Sequence, residues 1–393
     1  MLKRFLYLLI FLPFLISEVF SADNDGSINF YNAGGHASLV TIEGRPPLVC
    51  DAGYITHRVI DPVKLNISAP LMNDILAEFE GEHLDPATYD NRYPLSVIIS
   101  HPSTDHYNLV VDILNELRAN NDTPLRVHTM LGGNRDDYAV DLLDILTDIH
   151  RIDTGNLHGP VVEDEFMRFS GVRPINNAAE IDWLLFRHPD GDEETLNWNG
   201  NPSITDFFGQ TDLGIVPQGG GANFHDQQSI VTRVEIPNWT TVLQGDAVNA
   251  VTRRIMQGGI VLNSDILQAS LQGGGVDRAN NQNWIRNVNP RYGIFSAGSH
   301  AGHKHPRAEV IERFFFAGNR IENNRPLHFL HYYNPKNRVI QNIAVVHPVT
   351  QYGGVVGNTR HGVYTTFTSG ALRFHSQNPV PVVERVALPG YLP

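Results

Sequence analysis

Cysteine is almost absent. Cys50 is the only one in 393 residues, so no disulfide can form within the chain and its core must hold without covalent staples. Basic charge is scarce too: 29 Lys and Arg stand against 42 Asp and Glu, a formal net charge of −13. That balance disfavours a surface gripping long nucleic acid by bulk charge. No apolar run reaches the about 20 residues that a membrane-spanning helix needs. The glycine runs Gly219-Gly220-Gly221 and Gly273-Gly274-Gly275 lack the Lys-Ser/Thr that follows in a phosphate-binding P-loop, so loop flexibility is their plainer role. What is present is a globular composition, 41% hydrophobic and 18% charged, too apolar for a disordered polymer. With 34 glycines and 24 prolines, many short elements joined by turns are expected rather than a helical bundle.

The chain begins Met1-Leu2-Lys3-Arg4, continues apolar from Phe5 to Ile16 and reaches small residues at Val19 and Ser21. A basic start, a short apolar stretch and a small-residue cleavage site predict a secretory signal peptide over 1–21, and hence a secreted or periplasmic protein, the alternative being an uncleaved N-terminal anchor. Cleavage after Ser21 leaves 372 residues with 27 basic and 41 acidic side chains, a net charge of −14. With no internal repeat and no long linker, the expectation is one domain over 22–393, with an insertion around 151–222 that is rich in Asp, Asn, Gly and Pro.

Hydrophobic patterning predicts three short strands at Ile28–Tyr31, Leu39–Ile42 and Leu48–Cys50 as an antiparallel meander, and a strand buried on both faces at Leu95–Ile99. Helices are predicted over Tyr107–Arg118 and Arg135–His150, where Leu and Ile recur at helical spacing. Strands at Ser229–Ile236 and Thr240–Leu243 join at Pro237-Asn238, followed by helices near Val248–Gln257 and Arg307–Phe316. Further strands are expected at Tyr292–Ser296, Ile343–Val346 and Ala371–His375. This alternation is that of an α/β protein.

The segment with the most chemistry is Ser100-His101-Pro102-Ser103-Thr104-Asp105-His106, where a buried strand meets a helix. Two imidazoles and a carboxylate leaving one strand end can converge on one cation, and strand ends are where α/β layers keep their sites. Asp105 suits a helix cap equally well. Asp246 follows a second apolar strand, and His225 precedes the strand pair that ends in it. His300, His303 and His305 share a loop that suits either metal binding or plain solvation.

Together these segments resemble the metallo-β-lactamase superfamily, and more narrowly the hydrolase domain of DNA-internalisation competence proteins. The resemblance runs from Asn32–Ala37 and Leu48–Gly53 through Ser100–His106, Ser229–Asp246 and Ser296–Pro306 to Gly362–Phe374, in family order. It implies a four-layer αβ/βα sandwich with its site at one edge of two facing sheets. It further implies that His101 belongs to a first metal, Asp105 and His106 to a second, and that Asp246 is the carboxylate both metals share. His225 sits at the spacing of the superfamily's third histidine, and His305 at a position the competence branch also carries. Two departures stand out: Ser103 replaces the middle ligand of the H-x-H-x-D-H motif, and Leu271-Gln272 stands where a His-His pair is expected.

The implied chemistry is hydrolysis by water on one or two divalent cations, zinc or manganese, with Asp105 orienting the water or taking its proton. The resemblance points to phosphodiesters, while the acidic chain points to a small substrate rather than long nucleic acid. The alternative is a degenerate hydrolase that binds a ligand or partner without cleaving it, in keeping with the two departures. Oligomeric state is not legible in the sequence.

Overall fold

The computed structural model describes residues 26–31, 33, 35–42, 47–54, 71, 73–74, 95–120, 127–133, 135–154, 167–169, 196–197, 203–208, 222–236, 238–257, 262–274, 279–297, 305–315, 321–330, 344–345, 354–378 and 381–384. The expected signal segment 1–21, His300 and His303 lie outside them.

Short apolar runs between turn residues open the chain as β1 (Gly26–Phe30), β2 (Ala37–Ile42) and β3 (Leu48–Ala52), the expected antiparallel meander. β4 (Leu95–Ile99) is buried along its whole length and leads into α1 (Asn108–Asn120). β5 (Val127–Leu131) and α2 (Val140–Thr154) follow. The helix predicted from Arg135 begins later: Arg135–Asp137 form a separate 3₁₀ turn. Between the two lies buried Tyr138, whose hydroxyl donates to the Gly132 carbonyl at 2.7 Å.

From the segment read as an insertion come β6 (Met167–Phe169), β7 (Leu196–Asn197) and β8 (Ser203–Phe208). Next are α3 (Ala222–Asp226), the hairpin β9 (Val231–Ile236) and β10 (Trp239–Leu243), and α4 (Asn249–Gln257). Asn238 takes the left-handed conformation at the hairpin turn, φ 67°. Then follow β11 (Ile266–Gln268), α5 (Gln282–Val288), β12 (Tyr292–Phe295) and α6 (Ala308–Phe315). The chain continues with β13 (Ile321–Leu330), β14 (Ala344–Val345), β15 (Gly354–His361), β16 (Val363–Thr365) and α7 (Thr366–Ser369), and ends in β17 (Ala371–His375) and β18 (Val382–Glu384).

Two large sheets result, ordered β18-β17-β1-β2-β3-β4-β5-β6 and β16-β12-β11-β10-β9-β8-β7, with β13-β15-β14 as a small third sheet. Each large sheet changes from antiparallel to parallel pairing, at β3 in one and at β10 in the other.

Three apolar clusters set the layers. Leu39, Val49, Val97 and Ile99 of the first sheet pack on Leu109, Ile113, Leu142 and Leu146 of α1 and α2. Val242, Leu267 and Phe295 of the second sheet pack on Val251, Trp284, Ile311 and Phe314 of α4, α5 and α6. Between the sheets lie Ile28, Phe30, Ile98 and Phe374 from one side and Trp239, Tyr292 and Ile294 from the other. The order is therefore helices, sheet, sheet, helices, the four-layer αβ/βα sandwich read from the sequence. Trp239 joins the two sheets, with its ring 5.2 Å from Phe374 and its Nε1–H donating to the His375 carbonyl at 2.8 Å. Among the described residues no helix is long and apolar enough to cross a membrane.

Candidate metal centre

The end of β4, next to the strand at which the first sheet changes pairing mode, meets the end of β10, at which the second does. Gly245, left-handed at φ 45°, permits the approach: a Cβ there would stand 2.3 Å from Ser100 Oγ. Ser103 makes the turn that follows β4, its N–H donating to the His101 carbonyl and its carbonyl accepting from His106 N–H, both at 2.9 Å. The turn folds the His101 and His106 rings together, 4.2 Å between centroids, both fully buried. Ser103 thus shapes the site through its main chain.

Asp51 supports both histidines. β2 and β3 slip by one residue between Ala37 and Ser38, leaving Asp51 as the extra residue of a bulge at φ 48°. Its carboxylate accepts from Ser100 N–H at 2.7 Å, from the Ser100 hydroxyl at 2.8 Å and from His106 Nδ1–H at 3.0 Å. With its own proton committed to Asp51, Ser100 Oγ accepts from His101 Nδ1–H at 3.1 Å. Both rings are therefore held by Nδ1 and present Nε2 to the opposite side, the outer-shell arrangement that orients metal-binding imidazoles.

What they face is Asp246. Its Oδ1 lies 3.4 Å from His106 Nε2 and 3.5 Å from His36 Nε2, and its Oδ2 lies 3.8 Å from His101 Nε2. Asp226 Oδ1 stands 3.9 Å from His101 Nε2. Two groups of potential ligands result, His36 with His106 and Asp246, and His101 with Asp226 and Asp246, sharing the Asp246 carboxylate. The separations exceed the about 2.7–3.2 Å of an N–H···O hydrogen bond. Two ligands each about 2.0–2.2 Å from one tetrahedral cation stand about 3.3–3.6 Å apart, which the Asp246 Oδ1 contacts match. The residues present thus fit a divalent cation by donor type, burial and spacing.

Electrostatics follow the geometry. Burial pushes His101 down to about 3, helped by the charge on His106, so His101 is neutral with a free lone pair. Burial also acts against charge on His106, but Asp246 and Asp51 overcome it and raise it well above its ordinary value. Burial alone would raise Asp246, and His106 beside it holds that carboxyl well below the usual range. Asp51 is lowered in the same way.

Asp105, His225 and His305 lie outside both groups. Asp105, half-buried in its 3₁₀ turn, has its main-chain carbonyl packed against Gly35 and Gly53. His225 precedes Asp226 on α3, where successive side chains point about 100° apart, and of the two it is Asp226 that comes within 3.9 Å of His101 Nε2. His305 is buried with its ring against Gly274. Sequence reasoning named no role for His36, Asp51 or Asp226. His36 and Asp51 lie in the family-like segments Asn32–Ala37 and Leu48–Gly53, and a buried-strand Asp ahead of a glycine was the available signal.

The segment Leu271-Gln272 offers no imidazole but still touches the site. Both residues are left-handed, φ 51° and 47°, and Leu271 N–H donates to Asp246 Oδ1 at 3.0 Å. Asn280 closes this turn: its Oδ1 accepts from Ser270 N–H at 2.9 Å, and its Nδ2 donates to the Ser270 carbonyl at 2.8 Å and the Gly274 carbonyl at 3.3 Å. It also accepts from Gln244 Nε2 at 3.1 Å, two residues before Asp246.

No family model and no curated protein matches the chain. Among solved structures it is similar to the metallo-β-lactamase fold protein YhfI from Bacillus subtilis, at 9% identity and a TM-score of 0.31 over 68% of this chain and 85% of that one. It is also similar to human tRNase Z, short form, at 14% identity and a TM-score of 0.35 over 69% of this chain and 91% of that one.

Proposed function

We propose that the chain is a metal-dependent hydrolase of metallo-β-lactamase type. In this reading His101, His106 and Asp246 hold one or two divalent cations, zinc or manganese, and the substrate is a phosphodiester or other small ester-like molecule. The observation that carries it is the Asp246 carboxylate facing buried imidazole Nε2 atoms, with His106 Nε2 at 3.4 Å from Oδ1, longer than an ordinary hydrogen bond and within the spacing of two ligands on one ion.

A cation bound there would lower the pKa of a water toward about 7 and neutralise charge on the attacked group. The protein's own groups do the rest. Asp51 holds a proton on His106 Nδ1, and Ser100 Oγ holds one on His101 Nδ1, so the Nε2 lone pair is free on neutral His101 and becomes free on His106 once a cation displaces its second proton. Asp246 presents one oxygen to each side, which suits a carboxylate shared by two ions. Asp105, half-buried beside His106, keeps the proposed role of accepting the water's proton. The chain's charge, −14 without residues 1–21, favours a small substrate over long nucleic acid. Export through residues 1–21 belongs to the same proposal, as does a single domain over 22–393.

A second reading, a binding protein without hydrolysis, draws on Ser103 and Leu271-Gln272, which lack ligand side chains where the resemblance expects them. Turnover decides between the two. With bis(p-nitrophenyl) phosphate and Mn²⁺ or Zn²⁺, the expected result is release of p-nitrophenol that falls to background in Asp246→Ala. Wild-type turnover no higher than that of Asp246→Ala, with metal still bound, would establish the binding protein instead.

A further inference from the structure

We propose that His36 is a metal ligand, and that the imidazole missing from the Leu271-Gln272 turn has been relocated to the loop between β1 and β2. The inference rests on the metal-dependent reading above and adds a residue to it.

Three observations converge on His36. Its ring is fully buried, and neither ring nitrogen has a partner at hydrogen-bonding geometry. A buried imidazole left in that state is disfavoured unless something supplies the missing interaction. Its Nε2 is 3.5 Å from Asp246 Oδ1, the oxygen that His106 Nε2 approaches to 3.4 Å, and the two rings stand 4.9 Å apart. Two imidazole nitrogens and one carboxylate oxygen form a three-ligand set, the number of protein ligands in catalytic zinc sites, where water takes the fourth position.

The backbone explains how a residue so far from the His101–His106 segment in sequence arrives there. Gly35 lies against the Asp105 and Gly53 carbonyls, and a Cβ at residue 35 would stand 2.6 and 2.7 Å from them. The His36 carbonyl accepts from Gly53 N–H at 2.9 Å, fixing the loop over the turn that carries His106. The same oxygen, Asp246 Oδ1, accepts from Leu271 N–H at 3.0 Å. The 271–272 turn thus contributes a hydrogen bond that orients the carboxylate, and His36 contributes the nitrogen.

The test is metal titration of the metal-stripped chain with Co²⁺ and Zn²⁺, reading stoichiometry, affinity and the cobalt spectrum in wild type, His36→Gln and His36→Cys. The expected result is two equivalents in wild type and at least tenfold weaker binding of one equivalent in His36→Gln. In His36→Cys the cobalt complex should show a thiolate-to-cobalt charge-transfer band, which requires residue 36 to touch the ion. That signature does not depend on His36→Gln folding. Wild-type affinity for both equivalents in His36→Gln, or a cobalt complex of His36→Cys without the thiolate band, overturns the assignment and leaves the hydrolase reading standing. A wild-type chain that takes up no ion overturns both.

Discussion

Asp51 Oδ2 and His106 Nδ1 stand 3.0 Å apart, a buried carboxylate–imidazole pair built by a bulge in β3. The pair fixes the ring so that Nε2 faces Asp246, and Asp51 also ties down Ser100 and, through it, His101. Removing the charge while keeping the shape should loosen both rings at once. Asp51→Asn is expected to weaken metal binding about 10–100-fold, the usual range for loss of an outer-shell carboxylate. Competition against a chromophoric chelator measures it, and unchanged affinity would show that the pair is only structural.

Metal uptake should release a proton. In the metal-free chain Asp246 and Asp51 raise His106 well above its ordinary 6.5, so it carries a proton near neutrality that a cation must displace. Affinity is therefore expected to rise with pH through the neutral range. Zinc added to a weakly buffered sample with an indicator dye at pH 7 should acidify it, and no acidification contradicts the assignment of His106.

The same groups set the acid stability of the metal-free chain. Asp246 and Asp51 are lowered, so their contribution is present above the ordinary carboxylate value of 3.8 and is lost as pH falls through the depressed one. His101, held neutral down to about 3, contributes above 6.5 and loses that contribution as pH falls from there toward 3. His106 has the opposite sign, stabilising below 6.5 and less as pH rises through its raised value. Thermal melts of the metal-free chain should fall on acidification from about pH 6.5, through His101, and further below about pH 4, where the carboxylates add to the loss, and the Asp51→Asn variant should lose less over the lower range.

Asn280 ties both ends of the left-handed 270–274 turn, and through Leu271 N–H it reaches Asp246. Each buried group left unpaired by its loss costs about 1–3 kcal/mol, and the turn holds two non-glycine residues at positive φ that oppose it. Asn280→Ala is expected to destabilise the chain by about 2–4 kcal/mol in urea. It should also weaken metal binding in protein that remains folded. Asn280→Asp keeps the acceptor for Ser270 N–H but sets a carboxylate oxygen against the Ser270 and Gly274 carbonyls, and should be no milder in stability.

At the interface between the sheets, Trp239→Ala removes the ring that contacts Phe374 and Tyr292, and should cost about 3–5 kcal/mol. Metal stoichiometry of the folded fraction should not change, since the ring lies in the core between the sheets and outside both ligand groups. Equilibrium unfolding with metal analysis checks both halves of this expectation.

Much of the fold was legible because its central elements carry strong local patterns. The meander β1–β3, the strand–helix step β4–α1, the β9–β10 hairpin and β17 all follow contiguous apolar runs bounded by turn residues. β11 and β16 were missed because three residues carry no readable period. β13 and β15 had no such excuse of length, but their polar residues break the apolar alternation. In the site, His101, His106 and Asp246 were readable because each ends an apolar strand or opens the turn after one. His36, Asp51 and Asp226 were not, because each depends on something without a local signal. His36 needs a loop crossing onto a turn 65 or more residues away, Asp51 a bulge that re-aims it, and Asp226 the rotation of a short helix by one position.

The most direct measurement is the metal content of the chain, purified without chelator and then titrated with Zn²⁺, beside Asp246→Ala. A shared carboxylate at the centre of two ligand groups requires uptake of up to two equivalents by wild type and loss of both in folded Asp246→Ala. Wild-type protein that takes up no ion at neutral pH, or Asp246→Ala that binds as wild type does, would contradict it.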